Sequence, residues 1–247
     1  MNNLKKNQEK IKVSQNNSIE NIKKLAIRLN YKQIIVNRLD YYGNSIPLGA
    51  FCNAVSFILY GFYRCKVYSV NDIFLWGIIL LFGGFGQITS GILEFIKGRT
   101  FTATLYLCYG FYCLSHYYLY ILPIKLSKYN IFGINYDQIS LCVFYGFWAI
   151  ISLPITIASI NVNFFYNLQC EATTAFFILR SFGEGFDTYY VVRHSAGILQ
   201  SIAGFFSLYI CICQLINEQF GYQFLPVVPF IPNNEIDFTK YSKRKDE

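Results

Sequence analysis

The chain reads as an all-α membrane protein, a bundle of six transmembrane helices with a pore in each protomer, on three observations. Between Leu48 and Asn217 it is broken into six long apolar runs joined by short connectors. A bilayer core of about 30 Å takes roughly 17–25 helical residues to cross, close to the length of these runs. Second, 54% of the 247 residues are hydrophobic and only 14% charged, with a mean hydropathy of +0.33. A soluble domain would carry about a quarter charged residues. Third, several runs hold polar side chains that a lipid-facing helix would not tolerate, so the bundle should enclose a polar path.

Residues 1–40 hold nine Lys/Arg against Glu9, Glu20 and Asp40 and are rich in Asn, Lys and Gln. They read as a basic, disordered cytosolic tail that could be drawn to an anionic lipid surface. No apolar segment long enough for a secretory signal precedes the first span. The membrane domain is expected over 41–222, with spans near Leu48–Tyr63, Asp72–Phe95, Phe101–Leu122, Ile139–Ile160, Ala172–Val192 and Ser195–Ile216. Pro47 suits the first turn of a helix, where a missing N–H costs nothing. Pro123 closes the third span and Pro154 should kink the fourth, freeing backbone groups for neighbouring helices to satisfy. Pro226, Pro229 and Pro232 make an extended exit into a second tail, 223–247, that ends in basic residues. Six spans leave both tails on one side, with fifteen Lys/Arg there against five (Arg64, Lys66, Lys125, Lys128 and Arg193) on the other. The positive-inside rule then makes both termini cytosolic, and the plasma membrane is the expected location; the bias rests on the N-terminal tail.

Several chemistries find little support. Of eight cysteines, Cys52, Cys108, Cys113, Cys142, Cys211 and Cys213 lie in apolar spans, where a thiol behaves as a small hydrophobe. Cys65 and Cys170 are expected in or beside loops, and no Cys-x-x-Cys pair suggests a metal or redox site. His116 and His194 form no evident haem or metal set, and no nucleophilic-serine elbow or paired-carboxylate motif is visible. The reading is therefore of no enzyme, no cofactor, no metal and no nucleic-acid partner. Gly83-Gly84-Phe85-Gly86 superficially resembles a nucleotide loop, but within an apolar helix it reads as packing. Gly86-xxx-Ser90 and Gly197-xxx-Ser201, with Gly204 beyond, have the small-residue spacing that lets helices approach closely.

The informative residues are polar ones inside spans. The second span carries Gln87, Thr89, Ser90 and Glu94; the third Thr102, Thr104, Tyr109, Ser115 and His116; the fifth Thr173, Thr174, Arg180 and Glu184. A charge at the membrane centre costs about 2.5–3.5 kcal/mol on insertion scales. Arg180 and Glu184, four residues apart on one helical face, offset each other. They read either as an ion pair that pins helices or as an anion-attracting or proton-handling point beside a pore. Glu94, near Lys97, reads more as an interfacial or capping carboxylate than as a titrating transport group.

Three stretches resemble the acetate uptake transporter family. Asn44-Ser45-Ile46-Pro47-Leu48-Gly49 is similar to its Asn-Pro-Ala-Pro-Leu-Gly signature. Gly86-Gln87, Gly91-Ile92-Leu93-Glu94-Phe95, Lys97-Gly98-Arg99-Thr100-Phe101 and Tyr109-Gly110 follow the family in order and spacing. Asn217-Glu218-Gln219-Phe220-Gly221 with Leu225-Pro226 matches the ending of its bacterial members. The resemblance covers residues 41–230.

It implies a six-helix protomer with its own pore, assembled as a homo-hexamer in the lipid bilayer, that moves acetate and similar small carboxylates, with proton linkage as one mode. It also implies an apolar or aromatic narrowing to which Tyr109 contributes. Asn53 stands where an aromatic is expected and Thr173 where a leucine is expected, and Arg180 replaces an apolar residue. The expected substrate pathway is Asn44, Pro47, Leu48, Gly49, Asn53, Gln87, Tyr109, Thr173 and Arg180, with a proton or ion-pair role for Glu94 and Glu184. A carboxylate entering a narrow pore must exchange hydration for protein donors, which amide, hydroxyl and guanidinium groups supply. The competing reading is a structural or regulatory membrane protein of the same fold without appreciable flux.

Overall fold

The computed structural model describes residues 43–68, 74, 77–118, 138–185 and 189–227. Residues 1–40 and 228–247, most of both expected tails, lie outside them, as does Pro123. From Ser45 onward the described residues form one unit of six helices. These are α1 (Ile46–Arg64), α2 (Ile78–Ile96), α3 (Thr100–His116), α4 (Gln138–Ser159), α5 (Phe164–Gly185) and α6 (Tyr189–Phe220). Each helix packs on its neighbours in sequence, and α6 closes back on α1, so the six make a ring. The α6–α1 contact is the most extensive and the α3–α4 contact the thinnest.

Local chemistry accounts for the element ends. Pro47 sits in the first turn of α1, as expected. The α2–α3 connection is a Schellman motif. Gly98, at φ 74°, donates its N–H to Phe95 O at 2.9 Å, and Arg99 N–H reaches Glu94 O at 3.0 Å. Only glycine takes that left-handed position without strain, which lets α3 begin at Thr100. The first half of α2, Ile78–Gly86, is wound as a π-helix and the rest as an α-helix. Its Gly83 and Gly84 are buried against Cys113 and Leu114, so the glycine run serves packing.

The tightest joint is α6 on α1. A Cβ on Gly197 would meet Arg64, Cys65 and Gly61 O, and one on Gly204 would meet Ile58 and Phe57. The expected small-residue stripe is therefore a contact surface.

Polarity is reversed relative to a soluble protein. On α4 an apolar stripe, Ile139, Val143, Phe147, Ile150, Leu153 and Ile157, faces outward. Asn53, Gln87, Ser90, Glu94, Thr173 and Ser207 are wholly buried. Among the described residues, four helices, α1, α2, α4 and α6, are long and apolar enough to cross a membrane. The other two are shorter or more polar: α3 spans 17 residues. Thr, Tyr and His residues dilute α3, and Glu171, Arg180 and Glu184 dilute α5.

Two expectations need correction here. The fifth helix is Phe164–Gly185, not Ala172–Val192. Its first two turns contain Asn167, Gln169 and Glu171, which mimic a loop, yet Asn167 and Gln169 are buried against neighbours. Cys170 consequently lies mid-helix and fully buried instead of beside a loop. Residues 189–194 then belong to α6, whose 32 residues run about 48 Å at 1.5 Å per residue.

Candidate functional site

The alternating helices bring the polar in-span residues to three levels of the ring, between an end marked by Ser45 and an end marked by Arg64. At the Ser45 end, Glu94 is wholly buried and both of its oxygens are engaged. Ser45 Oγ donates to one, Thr102 Oγ1 donates to the other at 2.8 Å, and Lys97 Nζ and Arg99 Nη1 lie 3.2 and 3.5 Å away. Lys97 also donates to Ser45 Oγ at 2.7 Å, and Ser90 Oγ to Ser45 O at 2.7 Å. The start of α1 is thus tied to α2 and α3 by one carboxylate. Glu94 is a buried knot at the end of α2, bonded to Ser45, the residue that caps α1.

Midway, Asn53 uses both ends of its amide. Its Nδ2 donates to Ser207 Oγ on α6 at 2.6 Å, and its Oδ1 accepts from Gln87 Nε2 on α2 at 3.2 Å. Thr173 donates to Gln169 O of its own helix at 2.8 Å. Tyr109 lies between Phe57 of α1 and Phe177 of α5, each ring centroid 6.3 Å away, and all three rings are fully buried. Aromatic rings from three helices therefore meet in the buried interior.

Toward the other end two guanidiniums converge on one phenol. Arg64 Nη2 and Arg180 Nη2 donate to Tyr145 Oη at 3.5 and 3.3 Å, and Tyr145 lies 2.9 Å from His116 Nε2. Arg64 Nη2 is also 3.3 Å from His116 Nε2 and stacks on the Tyr60 ring, 4.4 Å to its centroid. With guanidiniums donating, Nε2 accepts, so this arrangement holds His116 as a neutral ring. Arg180 forms an ion pair with Glu184, as the i, i+4 spacing predicts. Arg64, Arg180 and Glu184 are all nearly inaccessible.

Of the expected pathway residues, Asn53, Gln87, Tyr109, Thr173 and Arg180 are buried within the ring, and Glu94 and Glu184 are buried in ion pairs. Asn44 precedes α1, and Pro47 is half-buried in its first turn. Gly49 is a contact point, because a Cβ there would strike Ser90 and Tyr106. Leu48 is corrected: it is 44% exposed. Nine residues separate it from Phe57, which at 100° per residue puts it on the opposite, outer face of α1.

Sequence reading missed Phe57, Phe177 and Arg64. Each aromatic lies four residues beyond a position that was singled out, Asn53 or Thr173, one turn along the same face. Arg64 was counted as a loop charge because Cys65-Lys66 follow it, yet it is 4% exposed in the last turn of α1. Its reach from Tyr60, one turn back, was the available signal.

An inverted polarity pattern, a six-helix ring and a buried polar interior define an integral membrane protein of the transport-bundle type. The chain belongs to the GPR1/FUN34/yaaH family, whose profile matches residues 29–232. It is 26% identical over 184 residues to the succinate-acetate/proton symporter SatP of Escherichia coli K12, covering 74% of this chain and 94% of that protein. It is 23% identical over 199 residues to an uncharacterised protein of Methanothermobacter thermautotrophicus, covering 80% of this chain and 97% of the other. The fold is that of the solved bacterial acetate channel SatP, with a TM-score of 0.67 at 24% identity over 75% of this chain and 99% of that one.

Proposed function

We propose that this protein carries acetate and related small carboxylates across a membrane along the axis of its helix ring. The observation that carries the reading is the row of Phe57, Tyr109 and Phe177 set from three helices into a polar interior, in a chain similar to a succinate-acetate/proton symporter. An apolar narrowing disfavours the hydrated ion and tolerates a short methyl tail, while hydroxyl and amide groups above and below it replace water. Asn53, Gln87, Tyr109 and Thr173 serve that interior. Pro47 and Gly49 organise its Ser45 end. Glu94 and Glu184 act as ion-pair partners there and at the far end.

Proton linkage, a homo-hexameric assembly, a plasma-membrane location and cytosolic termini belong to the same proposal. The count of basic residues supports the orientation even after Arg64 is removed from the loops, since fifteen then face four. The test is uptake of labelled acetate into proteoliposomes under pH gradients of either sign. Protein-dependent uptake, competed by propionate more than by glucose, is expected. Failure to carry acetate at acidic and at neutral pH would favour a structural or regulatory role for the fold.

A further inference from the structure

The Arg64 end of the ring contains an arithmetic that the transport reading does not use. Among the described residues, the charged groups gathered there are Arg64 of α1 and Arg180 and Glu184 of α5, with His116 of α3 and Tyr145 of α4 held between the guanidiniums. With a neutral phenol and a neutral imidazole, the cluster carries two positive charges and one negative. Arg180 is matched by Glu184. Arg64 has no carboxylate among the described residues. Its Nη1 is buried with no hydrogen-bond partner, and the residue as a whole is 4% exposed.

A small cavity adjoins it. Phe57, Tyr60, Tyr112, His116 and Gln200 line this space, which is the size of about one water. Tyr60 and His116 are the residues that Arg64 touches, and Phe57 belongs to the aromatic narrowing. The Tyr112 hydroxyl and the Gln200 carbonyl are also buried without hydrogen-bond partners. One unused donor, the Tyr112 hydroxyl, and one unused acceptor, the Gln200 carbonyl, therefore sit beside a space bordered by Phe57, near an uncompensated positive charge.

We infer that Arg64, braced by Tyr145, is a binding point for a single small monoanion, with Arg180 kept out of that role by Glu184. One negative charge brings the cluster to neutrality. A dianion would leave a buried excess negative charge, and a cation would deepen the positive one, each opposed by the low dielectric of the site. The site thus selects by charge on the Arg64 side of the aromatic ring, which selects by size and polarity. The choice of a carboxylate as the ligand rests on the transport reading above; the charge rule does not.

The experiment uses the full chain in detergent, titrated with sodium formate, acetate or succinate at neutral pH. Sodium gluconate at matched ionic strength is the control, and thermal stabilisation is the readout. Flux of the same variants in proteoliposomes is measured separately. Formate and acetate should stabilise the parent protein at lower concentration than succinate. Arg64→Gln should raise the acetate concentration required by about tenfold or more, the loss of a hydrogen bond to a charged group, and Arg64→Lys should recover part of it. Glu184→Gln, which adds one positive charge, should shift preference toward succinate. The double variant Arg64→Gln with Glu184→Gln restores the parent's charge count through Arg180 and should regain acetate binding to within about tenfold of the parent.

Acetate binding unchanged in Arg64→Gln overturns the inference, as does a folded double variant that recovers nothing. Tyrosinate absorbance at neutral pH that disappears in Tyr145→Phe overturns it too, because an ionised Tyr145 would already neutralise the cluster. The two readings fail separately. Acetate binding that depends on Arg64 in a protein without flux keeps this inference and rejects transport. Flux and binding indifferent to Arg64→Gln keep transport and reject this inference.

Discussion

The two ends of the ring hold the same charge count and resolve it differently. At the Ser45 end, Glu94 meets Lys97 and Arg99; at the far end, Glu184 meets Arg180, with Arg64 one phenol away. Each set has two cations and one carboxylate. Around Glu94, however, the carboxylate sits at the centre, receives two hydroxyls, and shares its cations with a partly exposed Arg99 whose side chain is 33% accessible. The surplus positive charge there reaches water. Around Tyr145 the centre is a neutral phenol, and both guanidiniums are sealed. A charge count alone therefore does not define a site; what matters is whether the surplus can be solvated.

The comparison breaks most sharply at Glu94. Glu94→Ala strands Lys97 in the interior and unties α1 from α2 and α3, with a cost of about 3–5 kcal/mol, the range for breaking a buried ion pair. The expected outcome is loss of a monodisperse species on size exclusion, with Glu94→Gln milder because it keeps one acceptor for Ser45 or Thr102 and offers an amide N–H to the other hydroxyl.

Between the ends, Tyr109→Ala should remove a wall of the narrowing. Losing a buried aromatic ring costs about 3–5 kcal/mol of stability, but the distinguishing effect is a fall in the uptake ratio of acetate over succinate. Tyr109→Phe should leave that ratio close to the parent's, since the ring provides the closure. A ratio that is the same in parent and Tyr109→Ala would move the narrowing elsewhere.

Asn53→Phe is the next smaller test. As a family-like aromatic it would be expected to tighten the pore. The structure gives it a different consequence, because Asn53 joins Ser207 to Gln87 and has no room to spare. Overpacking and the loss of the acceptor for Gln87 Nε2, while Ser207 keeps its bond to Ala203 O, should cost about 1–3 kcal/mol, read as a lower unfolding temperature. Leu48→Ala, on the outer face, should stay within about 0.5 kcal/mol in detergent and leave uptake unaltered.

How much of this could be read from the sequence follows the same division. Apolar runs with Pro47 and the small-residue stripe announce six helices and some of their ends, because bilayer thickness and backbone sterics leave few alternatives. The fifth helix was displaced because Asn167, Gln169 and Glu171 look like loop residues to any hydropathy window. The i, i+4 spacing of Arg180 and Glu184 made their pairing legible. Tyr109 was found by resemblance. Phe57 and Phe177 were not, since one phenylalanine in an apolar run looks like another until the ring closure of six helices decides which face looks inward. Arg64 was hidden by its place in the chain, at the last turn before a basic loop residue, Lys66.

The ring itself has uneven joints, and that unevenness has a mechanical consequence. Going round from α1, the joint diametrically across from α3–α4 is α6–α1. The first is the thinnest joint of the ring, and the second is the one where Gly61, Gly197 and Gly204 allow backbones to touch. A hoop with one slack joint widens by pivoting about the joint facing it. Any motion that parts Phe57, Tyr109 and Phe177 at least cost then swings α2 and α3 away from α4 and α5 about a glycine-lined fulcrum, in the manner of a nutcracker. Tyr112 against Phe144 and Trp148, and His116 against Tyr145, are the contacts that such a swing must unclasp first.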